Sequence, residues 1–201
     1  MTHRSALVFS ILLSIATVAM ASPAIDQEQV NIDRRVTLAV GGASEQKLAQ
    51  VFKAGRDGYL RHVTFPLSCL PYAIVTVSLQ KVADGLPSGV VLASEAVSGY
   101  LYPTIYPAPG IAFRIVEFAT PAHIYAGEEY AVVLEASGDT CNVWSAPAGD
   151  SYLSGRAYFD ARPNAPGWVR LDNEDPSGSD DLPFQLFVDD KPSACKSGEK
   201  R

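Results

Sequence analysis

The strongest constraint on this chain is a period of two in its apolar residues. In Tyr59-Leu60-Arg61-His62-Val63-Thr64-Phe65-Pro66-Leu67 the odd positions other than Arg61 form an apolar face, while His62 and Thr64 point the other way. That is the pattern of a half-buried strand. Val75, Val77 and Leu79 alternate with Thr76, Ser78 and Gln80, and Tyr130, Val132 and Leu134 alternate with Ala131, Val133 and Glu135. Shorter runs predict strands at Val36 to Val40, Leu48 to Lys53, Gly89 to Ala93, Phe113 to Phe118, Ala157 to Asp160, Trp168 to Leu171 and Phe184 to Val188. Between them, Gly55-Arg56-Asp57-Gly58, Asp84-Gly85-Leu86-Pro87-Ser88-Gly89, Pro107-Ala108-Pro109-Gly110 and Ala126-Gly127-Glu128 supply the positive-φ glycines and fixed-φ prolines of turns. Only Ala43 to Lys53 reads ambiguously between the two periods. The expectation is an all-β, antiparallel sandwich or barrel of about ten short strands.

Before that pattern begins, Met1 to Arg4 is a short polar start, Ala6 to Val18 is an apolar run, and Ala19-Met20-Ala21 offers small residues to a signal peptidase. The run is too short for a spanning helix, which needs about 20 apolar residues. Residues 1–21 therefore read as a signal peptide cleaved before Ser22, so the destination is secreted or periplasmic, with no membrane insertion after the signal is removed. The rest divides into an N-terminal segment with the first strand (22–45), the β-sandwich domain (46–190) and a polar tail (191–201). Export agrees with the cysteines. Cys69, Cys141 and Cys195 permit three single pairings in an oxidising compartment. Cys69 and Cys141 both close strand-like segments whereas Cys195 lies in the tail, so the expected disulfide joins Cys69 to Cys141. None of the three has metal-ligand spacing. With 16 Lys and Arg against 22 Asp and Glu, the formal net charge of −6 excludes an electrostatic footprint for nucleic acid or an anionic membrane.

Several turn and core segments carry a resemblance. Ala49-Gln50-Val51-Phe52-Lys53-Ala54 with Gly58-Tyr59-Leu60, then Gly85 to Ala93, then Ala126-Gly127-Glu128-Glu129-Tyr130-Ala131-Val132-Val133-Leu134 resemble successive signposts of a bacterial exported domain. That domain is a jelly-roll-like β-sandwich of the galactose-binding type, found in surface proteins with varied C-terminal anchors. The similarity runs from about Gln46 to Val188. It implies an extracellular, mostly non-catalytic module, in some members sugar-binding with a structural calcium ion. Where the resemblance would place an anchor, the residues after Val188 read as a charged tail, so surface attachment through a C-terminal anchor is not expected.

Catalytic patterns are thin. Gly149-Asp150-Ser151-Tyr152 is similar to the nucleophile block of one esterase class, but that block needs a strand-to-helix setting and a late histidine. After the leader only His62 and His123 are present, with no spacing relation, so no catalytic residue is assigned. Asp172, Glu174, Asp175, Asp180, Asp181, Asp189 and Asp190 place seven acids between residues 172 and 190 with no Lys or Arg among them. The stretch reads first as a solvated acidic loop. If it holds a cation, calcium suits its oxygen ligands, and Asp172, Asp175, Asp180 and Asp181 are the expected set; the EF-hand template fails, with Pro176 and Ser177 where its fifth and sixth positions fall. Tyr100, Tyr102 and Tyr106 stand in a Gly- and Pro-rich stretch, and Trp144, Tyr152 and Trp168 lie near loops. Loop aromatics stack on sugar rings, although the same rings fill sandwich cores. Trp144, Tyr152 and Trp168 are the expected ligand-binding residues. The functional expectation is a secreted, non-catalytic module recognising glycans of a cell envelope or matrix, or an extracellular protein. Its alternatives are a secreted hydrolase of polysaccharides or esters and a structural envelope protein.

Overall fold

A computed structural model describes residues 22–102, 112–161, 167–171 and 178–192. Residues 1–21, expected as a signal peptide, and Tyr106, Asp172, Asp175 and Cys195 lie outside the described residues. The chain is an antiparallel β-sandwich, built from more strands than the period of two predicts. Among the described residues there are fourteen strands and two single-turn 3-10 helices. No helix among them is long and apolar enough to cross a membrane.

In chain order the strands are β1 (Ala24–Gln29), β2 (Asp33–Gly41), β3 (Lys47–Lys53), β4 (Gly58–Phe65), β5 (Leu67–Cys69), β6 (Ile74–Ala83), β7 (Leu86–Ser98), β8 (Arg114–Glu117), β9 (His123–Ile124), β10 (Glu129–Ser137), β11 (Thr140–Ser145), β12 (Gly155–Asp160), β13 (Val169–Arg170) and β14 (Phe184–Asp189). They form a six-stranded sheet β13-β12-β3-β10-β6-β7, a five-stranded sheet β1-β14-β4-β8 with β9 also on β4, and a three-stranded sheet β2-β11-β5. Every segment expected as a strand is one. The additions are β1, β5, β9 and β11.

Local chemistry explains several joints. Between β6 and β7 the two turn residues Asp84 and Gly85 both have positive φ, 54° and 77°, the geometry of a primed hairpin turn that Asp-Gly favours. At Pro66 the expected single strand breaks: proline has no N–H for the ladder, so β4 stays in the five-stranded sheet and β5 joins the three-stranded one. The Pro66 carbonyl then accepts the Trp144 N–H at 3.2 Å. Cys69 and Cys141 face each other across the β5–β11 ladder and form the expected disulfide.

The principal core lies between the sheets. Leu48, Phe52, Val75, Val77, Leu79, Val132 and Leu134 from the six-stranded sheet pack with Leu60, Val63, Phe65, Phe184 and Leu186 from the five-stranded sheet, and with Val40, Cys141 and Val143 from the three-stranded sheet. The central strands of the six-stranded sheet are apolar on their second face as well. There Ala49, Val51, Ala131, Val133 and Tyr158 form a smaller buried cluster, against which Val82, Leu86 and Trp168 pack. The segment 22–45 is part of the same body, since β1 pairs with β14 and β2 with β11.

Candidate functional site: a groove on the outer face of the six-stranded sheet

The alternation of β12 decides which of its side chains face the groove. Ala157 and Phe159 turn to the principal core, so Arg156 and Tyr158 emerge on the outer face, in register with Val51 and Ala49 of β3. Across β3, Lys53 stands opposite Glu129 of β10. These residues, with Gly85 from the β6–β7 turn and Leu153, Ser154 and Gly155 from the approach to β12, line an open groove of about 460 Å³. Gly155 is needed for close approach. A Cβ there would overlap the Val51 carbonyl, so a side chain would push β12 away from β3.

The groove's cations have acidic neighbours. Arg156 lies 3.4 Å from Asp180 and 3.8 Å from Asp150, and Lys53 sits across the ladder from Glu129. Of the four expected calcium ligands, Asp180 thus directs its carboxylate to Arg156. The Asp181 carboxylate turns the opposite way, into the protein, where it is fully buried. It accepts the backbone N–H groups of Ser151 at 2.9 Å and Tyr152 at 2.8 Å, the Ser151 hydroxyl at 3.3 Å and the Gln50 amide at 3.2 Å. Burial outweighs these hydrogen bonds and pushes the carboxyl up to about 6. Asp181 therefore acts as the internal anchor of the 149–152 turn. Gly149 and Ser179 form a bridge beside it, and the Asp180 carbonyl accepts the Ala157 N–H at 2.7 Å. No group of three or more His, Cys, Asp or Glu among the described residues could hold a metal ion.

The three expected stacking rings go to three places. Trp144 is half-buried on β11, on the face opposite Cys141 and Val143. Tyr152 is inside the principal core, edge-on to Phe184 at 5.1 Å, with its hydroxyl donating to Gln27 Oε1 at 2.8 Å. Its ring faces are packed rather than presented, and burial raises its phenol above the usual range. Trp168 is half-buried on the outer face of the six-stranded sheet, against the cluster that contains Tyr158. Tyr158 itself is the groove aromatic that sequence reasoning passed over. Its signal was available in the parity of Arg156-Ala157-Tyr158-Phe159, where the small and apolar positions claim the inner face.

Ser151 bonds to Gln29 at 2.9 Å and to Asp181, neither of them a histidine. His62 stacks on Phe187 at 4.3 Å, and His123 sits 4.8 Å from Tyr59 and 4.7 Å from Tyr125. Both belong to the five-stranded sheet. Burial lowers the His62 pKa despite the opposing pull of Glu117.

Fold and site define a disulfide-bonded all-β sandwich with an open groove on one sheet face. Compared with known proteins, the chain matches no family model, and no curated protein is similar to it.

Proposed function

We propose that this is an exported, non-catalytic binding module whose groove takes an uncharged glycan chain. The observation that carries the reading is the groove's balance of chemistry. The exposed Leu153 supplies apolar surface, with the edge of the largely buried Tyr158 beside it, while Lys53, Glu129, Arg156 and Ser154 supply donors and acceptors whose charges are locally matched. Sugars ask for that combination: a partly apolar ring face and hydrogen bonds at its rim. An acidic polymer would meet Asp150, Asp180 and Glu129 beside the two cations, with no surplus positive charge to hold it. Hydrolysis of glycosidic bonds uses two carboxylates flanking the bond, whereas Asp150 and Asp180 at this groove both face Arg156, which supports the non-catalytic reading. The resemblance to the galactose-binding type of sandwich and the leader-like N-terminus support the same reading, with the disulfide consistent with an oxidising compartment.

The test pairs a glycan array with titration of hydroxyethyl cellulose and carboxymethyl cellulose, which share a backbone and differ in charge. Binding of neutral chains is expected, weakened about tenfold in the exposed-site variant Lys53→Ala/Glu129→Ala without loss of melting temperature. Silence across the array would sink the reading, as would binding indifferent to that variant.

A further inference from the structure

The ladder between β2 and β11 has a gap. Trp144 pairs with Thr37 and the next residue, Ser145, pairs with Asp33, so Arg34, Arg35 and Val36 have no partner on β11. Because β2 is also an edge of its three-stranded sheet, this bulge stands outside the ladder on both sides. Both arginines are exposed, whereas Asp33 and Leu38, which flank the bulge, are buried. Asp33 holds only the second of them. Its carboxylate accepts the Arg35 backbone N–H at 2.9 Å and the Arg35 guanidinium at 2.9 and 2.7 Å, and Arg34 takes no part in that clip. The pair Arg-Arg occurs once in the sequence.

Other basic residues are shielded from a protease that cuts after arginine or lysine. Arg162 and Lys191 each precede a proline, whose nitrogen carries a ring and no N–H, so the bond to it resists such an enzyme. Arg56 lies in a loop tied down on either side, with the Gly55 N–H donating to Asp26 at 3.1 Å and the Ala126 N–H to Asp57 at 2.8 Å. The remaining Lys and Arg among the described residues sit in strands. Each has a ladder partner except Arg61, whose carbonyl accepts the Phe118 N–H at 3.0 Å.

We propose that the Arg34–Arg35 bond is a processing site for an arginine-specific serine endopeptidase, whose cut turns β1 into a releasable strand. An enzyme of that class takes a basic side chain into an acidic pocket and binds the flanking backbone in extended form. The bulge presents both: an exposed Arg34 and backbone groups that the ladder leaves free. Water adds across the peptide bond, leaving a carboxylate on Arg34 and a new amino group on Arg35. The segment before the cut is then held only by the β1–β14 pairing and by side-chain bonds from Asp26, Gln27 and Gln29. Within β1 only Gln29 is buried. While the chain is continuous, that pairing is intramolecular and benefits from the high effective concentration of a short tether. Once cut, it becomes an ordinary association between two molecules, and the β14 edge is opened to another extended segment. The inference is independent of the glycan groove, whose lining includes no residue of β1 or β2.

Brief digestion of the native full chain with trypsin tests it, followed by intact mass and size exclusion without denaturant. Cuts after Lys196 or Lys200 shorten only the tail and are set aside. The first cut in the body is expected to create a new N-terminus at Arg35, and the fragment ending at Arg34 should elute apart from the body at micromolar protein. Arg34→Gln should slow that cut at least about tenfold at an unchanged melting temperature, by removing the charge the pocket binds. Arg35→Gln should not slow it. Three results would overturn the inference. One is a first body cut at any other site. A second is a cut whose rate rises with urea in step with global unfolding, so that the folded bulge is itself protected. The third is a fragment that co-elutes with the cut body, which would leave β1 a fixed strand.

Discussion

Asp181 shows how one side chain links buried charge to loop geometry. A carboxylate that accepts two backbone N–H groups, a hydroxyl and an amide holds the 149–152 turn in place, yet full burial raises its pKa to about 6 from an unfolded value of 3.8. The raised value means the folded state binds this proton more tightly than the unfolded chain. Its contribution is fully present below about pH 4 and is lost as pH rises through about 6. Urea unfolding should therefore show wild-type stability falling by up to about 3 kcal/mol across that window, and Asp181→Asn should flatten the slope. A wild-type profile equally flat would contradict the assignment. Asp33 works in the opposite direction. Its hydrogen bonds from Arg35 hold it down to about 2, so the stability it contributes is lost only on acidification from about 4 toward 2. The two windows do not overlap. Tyr152 makes the second case at this scale. Because its ring packs on Phe184 inside the core, Tyr152→Ala should cost about 3 to 5 kcal/mol in chemical denaturation. Tyr152→Phe should cost about 1 kcal/mol through the lost bond to Gln27. Glycan affinity should not change in the phenylalanine variant, and a selective loss of binding would restore Tyr152 to a recognition surface.

Elements are held by pairings that their own sequences do not all announce. The β5 strand is three residues long and depends on β11 and the disulfide for its place. Closing a loop with a sequence separation of 72 stabilises the fold by about 4 kcal/mol in the chain-entropy model. The Cys69→Ala/Cys141→Ala variant should lower the urea midpoint accordingly, and loosen the β5–β6 turn and the 3-10 turn Gly99–Leu101 next to it, detectable as faster amide exchange at Gly99 and Ala73. An unchanged midpoint would show that the sheets fix this end unaided. Half of the strand additions have similar logic. β9 is two residues laid against Gly58 and Tyr59, and β11 alternates Cys141, Val143 and Ser145 inward with Asn142 and Trp144 outward, a pattern diluted by its polar residues.

At the scale of the molecule, the N-terminal strand closes the body. β1, Ala-Ile-Asp-Gln-Glu-Gln, pairs with β14 from the far end of the described chain. Its side chains also hold loops, with Asp26 accepting the Gly55 N–H, Gln27 accepting the Tyr152 hydroxyl, and Gln29 donating to Ser151. Deleting residues 22–31 should expose the β14 edge, lower the melting temperature and promote association through that edge, read by calorimetry and light scattering. A truncated protein as stable and monodisperse as the parent would make β1 an ornament.

The chain's own pattern was enough to determine that it is all-β, where most strands lie, and which two cysteines join, because alternation and turn chemistry are local consequences of backbone sterics. Val75 to Gln80 and Tyr130 to Glu135 could be read directly for that reason. The mostly polar β1 could not, since its only warrant is a partner some 160 residues away. Tyr152 and Tyr158 make the same distinction for the site. Each is an aromatic within reach of a loop, and one fills the core while the other lines a groove. Asp180 and Asp181 likewise neighbour each other in sequence, yet one pairs with Arg156 at the groove and the other is buried under the 149–152 turn. Tertiary structure decided these outcomes because burial, ion pairing and the sheet a strand joins depend on groups brought together only when distant segments pack.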